Sequence, residues 1–157
     1  MQSGNYRRSI RGGRGARFGL ETSKRTGVEV PVNYGTTYHT VAEEGNYKIV
    51  MGNPKIGNYN KTPMESQTPN RIYGYMNTEG KLSSIVFMNE KGKRLKQIDW
   101  GHPHKGKNVM HVHIGIDHSK DITRYKLSTK EKRVYNDIIN LAKRNGVNIY
   151  VGGNTIH

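Results

Sequence analysis

Five of the seven histidines in this chain fall between positions 102 and 118: His102, His104, His111, His113 and His118. Histidine is the side chain whose ordinary pKa lies near neutrality, so a pair of histidines can divide into one base and one acid. His111 and His113 alternate in the run VMHVHIGI, residues 109–116. In a strand, side chains take the two faces in turn. Met110, Val112, Ile114 and Ile116 then share the core face, and His111 and His113 share the opposite face, with Asp117 beside them if the strand continues. Asp99 ends the preceding strand candidate, and a hairpin through residues 101–108 brings it into one neighbourhood with His102, His104, His111 and His113.

Three chemistries fit that group. The first is acid–base catalysis: cleavage of RNA by its own 2′-hydroxyl needs a histidine pair and a cation to stabilise the phosphorane; Lys96, Lys105, Arg94 and Arg124 are the candidate cations, and Lys107 is a further nucleic-acid-binding candidate beside them. The second is metal binding. His-x-His on a strand aims two imidazoles the same way, Asp99 offers a third ligand, and zinc suits a mixed nitrogen and oxygen set. The third is structural, with solvent-facing histidines on a half-exposed sheet that are incidental or contact a partner. His39 and His157 stand apart and are background.

The elements that must position these residues are readable around them. RIYGYM (71–76), KLSSIVFM (81–88), KRLKQIDW (93–100) and VMHVHIGI (109–116) are four strand candidates. The first two connections, Asn77-Thr78-Glu79-Gly80 and Asn89-Glu90-Lys91-Gly92, are short and end in Gly, as hairpin loops with a residue at positive φ do. Short sequential connections predict an antiparallel meander. Residues 128–145 predict a helix: Ser128 and Glu131 form a capping box, Val134, Tyr135, Ile138, Ile139, Leu141 and Ala142 make an apolar stripe, and Gly146 ends it. The stripe should pack on one face of the meander, with a last strand at 147–151. Residues 20–70 read as short strands and loop, with apolar patches at 28–32 and 47–51 broken by Gly and Pro. Trp100 and the tyrosines at 73, 75, 125, 135 and 150 read mainly as packing aromatics.

Lys and Arg number 26 against 12 acidic residues, a net charge of +14. That field attracts polyanions, and with no basic amphipathic helix of large apolar face, nucleic acid is preferred over membrane. Residues 1–19 read as a flexible tail in which Arg7, Arg8, Arg11, Arg14 and Arg17 alternate with glycines, suited to tracking phosphates with Tyr6 and Phe18 available to stack. Residues 20–157 are then a single domain with its histidine-rich hairpin at 93–117. The chain has no cysteine, which excludes disulfides and thiolate zinc sites. No run has the length of a membrane span or the apolar stretch of a signal peptide, so the expected location is the cytoplasm, or a virion for a phage component.

The segment from Arg71 to Ile114 resembles a small domain family: the C-terminal toxin-like domains of bacterial polymorphic toxins, with related domains on phage head-morphogenesis and minor capsid proteins. The residues that carry the likeness are Arg71, Tyr73, Gly80, Ile98, Asp99, Trp100, His102, Pro103, His104, Gly106, His111 and His113, densest in GHPHKGKNVMHVH. The resemblance covers about a third of the chain. It implies a nuclease, compared in some members with barnase-like ribonuclease toxins, and an inhibitor protein or a phage capsid as partner.

The expectation is therefore an α+β domain: an antiparallel β-meander of about four strands with one packed C-terminal helix. Its expected function is nucleic-acid-directed, a histidine-dependent phosphodiesterase acting on RNA rather than DNA and needing no cofactor. The alternatives are a non-enzymatic phage structural or nucleic-acid-binding protein, and a zinc-dependent nuclease with His111, His113 and Asp99 as ligands.

Overall fold

The computed structural model describes residues 17–22, 29–33, 38–52, 62–101, 109–116 and 122–151, the first two segments as backbone alone. Between 72 and 114 it contains the expected meander: β5 (Ile72–Met76), β6 (Lys81–Met88), β7 (Arg94–Asp99) and β8 (His111–Ile114), each antiparallel to the one before. Its first two turns use one device. Asn77 Oδ1 accepts from the amides of Glu79 and Lys81, Asn89 Oδ1 accepts from those of Lys91 and Lys93, and each turn closes on a glycine at positive φ, Gly80 at 78° and Gly92 at 77°. Gly92 is required twice over, because a Cβ there would lie 2.0 Å from the carbonyl oxygen of Ser66.

The sheet is larger than the four strands expected. Its order is β3-β4-β5-β6-β7-β8-β9, with β10 beside β6, making eight strands. β3 (Tyr38–Glu44) and β4 (Tyr47–Gly52) form a hairpin around Gly45 and Asn46, and β4 then joins β5 in parallel, so the sheet is mixed. β9 (Ile122–Arg124) extends the other edge, and β10 (Asn148–Ile149) runs parallel to the start of β6. β10 falls within the last strand expected at 147–151 and β4 on the apolar patch at 47–51, whereas β9 is three residues long and β3 is an edge strand of mixed exposure, which hides both from a pattern search. A separate antiparallel pair, β1 (Arg17–Thr22) and β2 (Glu29–Asn33), takes in Arg17, Phe18 and Gly19 of the expected tail. Residues 1–16 lie outside the described residues.

The helix forms as its signals predict. In α1 (Thr129–Arg144) the Ser128 hydroxyl accepts from the Glu131 amide at 3.1 Å, and the Glu131 carboxylate accepts from the Ser128 amide at 2.8 Å. Gly146, at φ 70°, turns the chain so that the Val147 amide bonds back to Ala142. Val134, Ile138, Leu141 and Ala142 are buried against Ile49, Leu82, Ile85, Phe87, Ile98, Trp100 and Val112 of the sheet. Each large side chain so buried contributes about 1.5–3 kcal/mol of transfer free energy. Gly74 lets the helix approach, because a Cβ there would crowd Leu82, Ile138 and Ile49 at 3.0–3.2 Å. Trp100 belongs to this core, edge-on to Tyr135 and donating Nε1–H to the Tyr150 carbonyl.

The opposite face is also buried, contrary to a half-exposed sheet. Tyr38, Val50, Tyr73, Tyr75, Val86 and Met88 are covered there. Residues 62–66 run beside the start of β7: the Arg94 amide bonds Met64, the Ser66 amide bonds Gly92, and the Ser66 and Tyr73 hydroxyls meet at 2.7 Å. Burial pushes the Tyr73 phenol up to about 12. Among the described residues no helix is long and apolar enough to cross a membrane.

Candidate functional site

The site is a polar patch on that second face, assembled by strand register. Across β6, β7 and β8, Ser84 pairs with Asp99 and Asp99 with His111, while on the next same-face rung Val86 pairs with Gln97 and Gln97 with His113. Strand alternation therefore delivers Ser84, Gln97, Asp99, His111 and His113 to one side, and Ile85, Ile98 and Val112 to the helix side. A register shift between β6 and β7, with Phe87 opposite Lys96 and Met88 opposite Arg94, adds Arg94 to the polar side.

All six polar side chains are buried: Ser84 4%, Arg94 0%, Gln97 2%, Asp99 2%, His111 0% and His113 7% exposed. Burial on this scale demands partners, and they are present. The Asp99 carboxylate accepts from the Ser84 hydroxyl at 2.5 Å on Oδ1 and from Gln97 Nε2 at 3.2 Å on Oδ2. Gln97 is oriented in turn by Thr62 at 2.9 Å and by Arg94 at 3.2 Å, both donating to Oε1, and Arg94 Nε donates to the Gly115 carbonyl at 3.0 Å.

The imidazoles face each other at 89°, their Nε2 atoms 3.1 Å apart. His111 Nδ1 is 2.8 Å from the Val109 carbonyl, which can only accept, so it carries a proton and a neutral His111 has its lone pair on Nε2. His113 Nε2 lies 3.8 Å from Asp99 Oδ2. The ligating atoms of Asp99, His111 and His113 all lie within 4.8 Å of one another, a group that could hold a metal ion.

Three of the sequence-predicted catalytic residues, Asp99, His111 and His113, are thus brought together. His102, His104, Lys105, Lys107, Asp117 and His118 lie outside the described residues, as do Arg7, Arg8, Arg11 and Arg14, and of Arg17 the backbone alone is described.

The cations expected beside the histidines are divided between the two faces of the sheet. Lys96 and Arg124 take the helix side, paired with Ile114 and Val112 across the ladder. There both bind the buried Glu131, Lys96 Nζ at 2.7 Å and Arg124 in a fork at 2.8 Å on each oxygen. Arg94 shares the histidine face, is buried, and donates to Gln97 and to the Gly115 carbonyl. Ile116, expected in the core, is 59% exposed: Gly115, at φ 145°, follows the last residue of β8 and ends the alternation.

Ser84, Gln97 and Thr62 escaped the sequence reading. Ser84 and Gln97 carry a faint signal, as uncharged polar residues in otherwise strand-like runs at positions that the meander registers against Asp99 and His113. Thr62 has none, because its contact spans 35 residues.

Fold and site define an α+β protein in which a carboxylate and two imidazoles converge inside a mixed sheet. Comparison with protein-family models, with curated proteins and with solved structures gives no match for the chain.

Proposed function

We propose that the protein is a nucleic-acid-directed phosphodiesterase, acting on RNA in preference to DNA, with Asp99, His111 and His113 as its reaction centre. The observation that carries this reading is the 3.1 Å approach of two imidazole Nε2 atoms, one with its outer nitrogen tied to a backbone carbonyl and the other beside a carboxylate. A histidine pair that shares one proton supplies a base and an acid once a bound phosphodiester parts the two rings. His111 Nε2 takes the proton of the ribose 2′-hydroxyl as its oxygen attacks phosphorus, and the P–O5′ bond breaks. His113, protonated with Asp99 as counter-charge, returns a proton to the departing 5′-oxygen. The products are a 2′,3′-cyclic phosphate and a 5′-hydroxyl. The net charge of +14 draws the polyanion.

The burial of all three residues favours a second reading, a non-enzymatic nucleic-acid-binding protein in which the polar cluster only joins β6, β7 and β8. Labelled RNA and DNA are incubated with the wild type and with His111→Ala, His113→Ala and Asp99→Asn, each checked for fold by circular dichroism. Cleavage by the wild type that falls at least ~100-fold in either histidine variant, the scale of a lost acid or base, supports the phosphodiesterase. Absence of cleavage with salt-sensitive binding retained supports the second reading.

A further inference from the structure

We propose that Asp99 Oδ2, His111 Nε2 and His113 Nε2 are three ligands of a single divalent transition metal of the zinc class. The proposal rests on the phosphodiesterase reading of this site but changes its chemistry: the two Nε2 atoms would be ligands in place of base and acid, and the ion would supply a Lewis acid and an ionisable water.

The argument begins with spacing. With bonds of 2.0–2.1 Å in a tetrahedron, two ligating atoms stand about 3.3 Å apart. The two Nε2 atoms are 3.1 Å apart, and His113 Nε2 is 3.8 Å from Asp99 Oδ2. All three atoms lie within 4.8 Å of one another, so closing the triangle takes side-chain adjustment on the order of 1 Å.

The surroundings of each ligand point the same way. A metal-bound imidazole is held by its outer N–H on a carbonyl or carboxylate. His111 Nδ1 is so held by Val109. The Asp99 carboxylate is braced by Ser84 on one oxygen and Gln97 on the other, with Gln97 itself held by Thr62 and Arg94. The preorganisation therefore extends two bonds behind the ligand. The donor set selects the ion: two imidazoles and one carboxylate suit zinc and its neighbours, whereas calcium and magnesium take oxygen ligands. Three protein ligands leave a coordination position to water or a phosphate oxygen, the arrangement of a catalytic rather than a structural zinc.

The test uses the full chain, stripped with chelator and titrated with Co(II), whose visible d–d absorption reports four-coordinate binding without reference to activity. The expected result is one Co(II) per chain, displaced by Zn(II), with a melting temperature that rises with zinc concentration. His111→Ala and His113→Ala should abolish the absorption. Ser84→Ala keeps all three ligands and should weaken Co(II) by about 10- to 100-fold. Asp99→Asn, close to isosteric, is the variant to read if either histidine variant fails the Trp100 fluorescence check for fold, and it too should lose the spectrum. A folded wild type that gives no Co(II) spectrum and no zinc-dependent melting shift overturns the proposal, as does a spectrum unchanged in the folded variants. One bound cobalt with no cleavage of RNA or DNA upholds the metal site and removes the phosphodiesterase. Cleavage that persists in chelator without a cobalt spectrum does the reverse.

Discussion

Replacing Glu131 by Gln isolates the charge that ties Lys96 and Arg124 to the helix. The Glu131 carboxylate is buried and accepts four hydrogen bonds: two from Arg124 at 2.8 Å, one from Lys96 at 2.7 Å, and one from the Ser128 amide at 2.8 Å. Gln keeps the capping geometry through its carbonyl. Its amide group, however, sets donors against the donors of Lys96 and Arg124. Two charge-assisted bonds are lost, each worth about 1.5–3 kcal/mol where fully buried. Lys96 and Arg124 are 21% and 36% exposed, so water recovers part of that. The net loss is about 2–4 kcal/mol. For a chain of this size that lowers the melting temperature by roughly 4–16 °C.

The pH dependence of this loss has a definite sign. The Arg124 guanidinium holds the Glu131 carboxyl well below the usual carboxylate range, against the opposing effect of burial, and Lys96 and the Ser128 amide add to it. A depressed carboxyl contributes its full stability above the unfolded value of about 4.3 and loses it as pH falls through the folded value. Urea denaturation followed by the fluorescence of Trp100, the one tryptophan, measures both variants. The wild type should exceed Glu131→Gln by a constant margin from pH 7 to about pH 5, and the margin should shrink below about pH 4.3. A margin under ~0.5 kcal/mol at neutral pH, the scale of an ordinary surface substitution, would refute the reasoning, as would one that persists undiminished to low pH.

Lys96→Met should lower stability by about 1 kcal/mol, the scale of one ion pair with a part-exposed partner, yet leave the salt slope of RNA binding unchanged. A slope reduced by about one unit would return Lys96 to the phosphate contacts. Gly80→Ala should cost about 1–2 kcal/mol for its positive φ alone, since its Cβ would meet nothing within 4 Å. Gly92→Ala, at nearly the same φ, should cost a further ~1–3 kcal/mol because its Cβ would meet the Ser66 carbonyl. Equal losses in urea would show that residues 62–66 do not rest on that turn.

The meander and the helix were legible because their signals are local. Asn-x-x-Gly turns state where β5, β6 and β7 reverse, and a Ser128–Glu131 box states where α1 begins. From turn spacing and alternation alone, Asp99, His111 and His113 follow as neighbours. The parallel pairing of β4 with β5 was not legible. Nothing in 47–52 distinguishes a strand that will pair with 72–76 in parallel from one that will pair elsewhere, and the pairing formed places Ile49 in the core with the residues of α1. The side taken by Arg94 was hidden by the β6–β7 register shift, whereas that of Lys96 follows from plain alternation, with Ile98 and opposite Asp99.

Burial is the property of the site that composition conceals, and both readings have to account for it. Six polar groups packed between β6, β7 and β8 are not the most economical way to join three strands. Apolar residues of similar volume commonly hold a core as well or better. A histidine retained only for structure aims its nitrogens at fixed partners, as His111 Nδ1 does at the Val109 carbonyl. The inner nitrogens of His111 and His113 are instead aimed at each other, with a braced carboxylate 3.8 Å from one of them. Two imidazole lone pairs cannot face each other at 3.1 Å with nothing between them. A proton or a metal ion must mediate: an N–H···N bond between neutral rings suffices for structure, and a transferable proton or an ion is what the proposals add. Convergence, more than the number of histidines, is therefore the ground on which a reaction is proposed here.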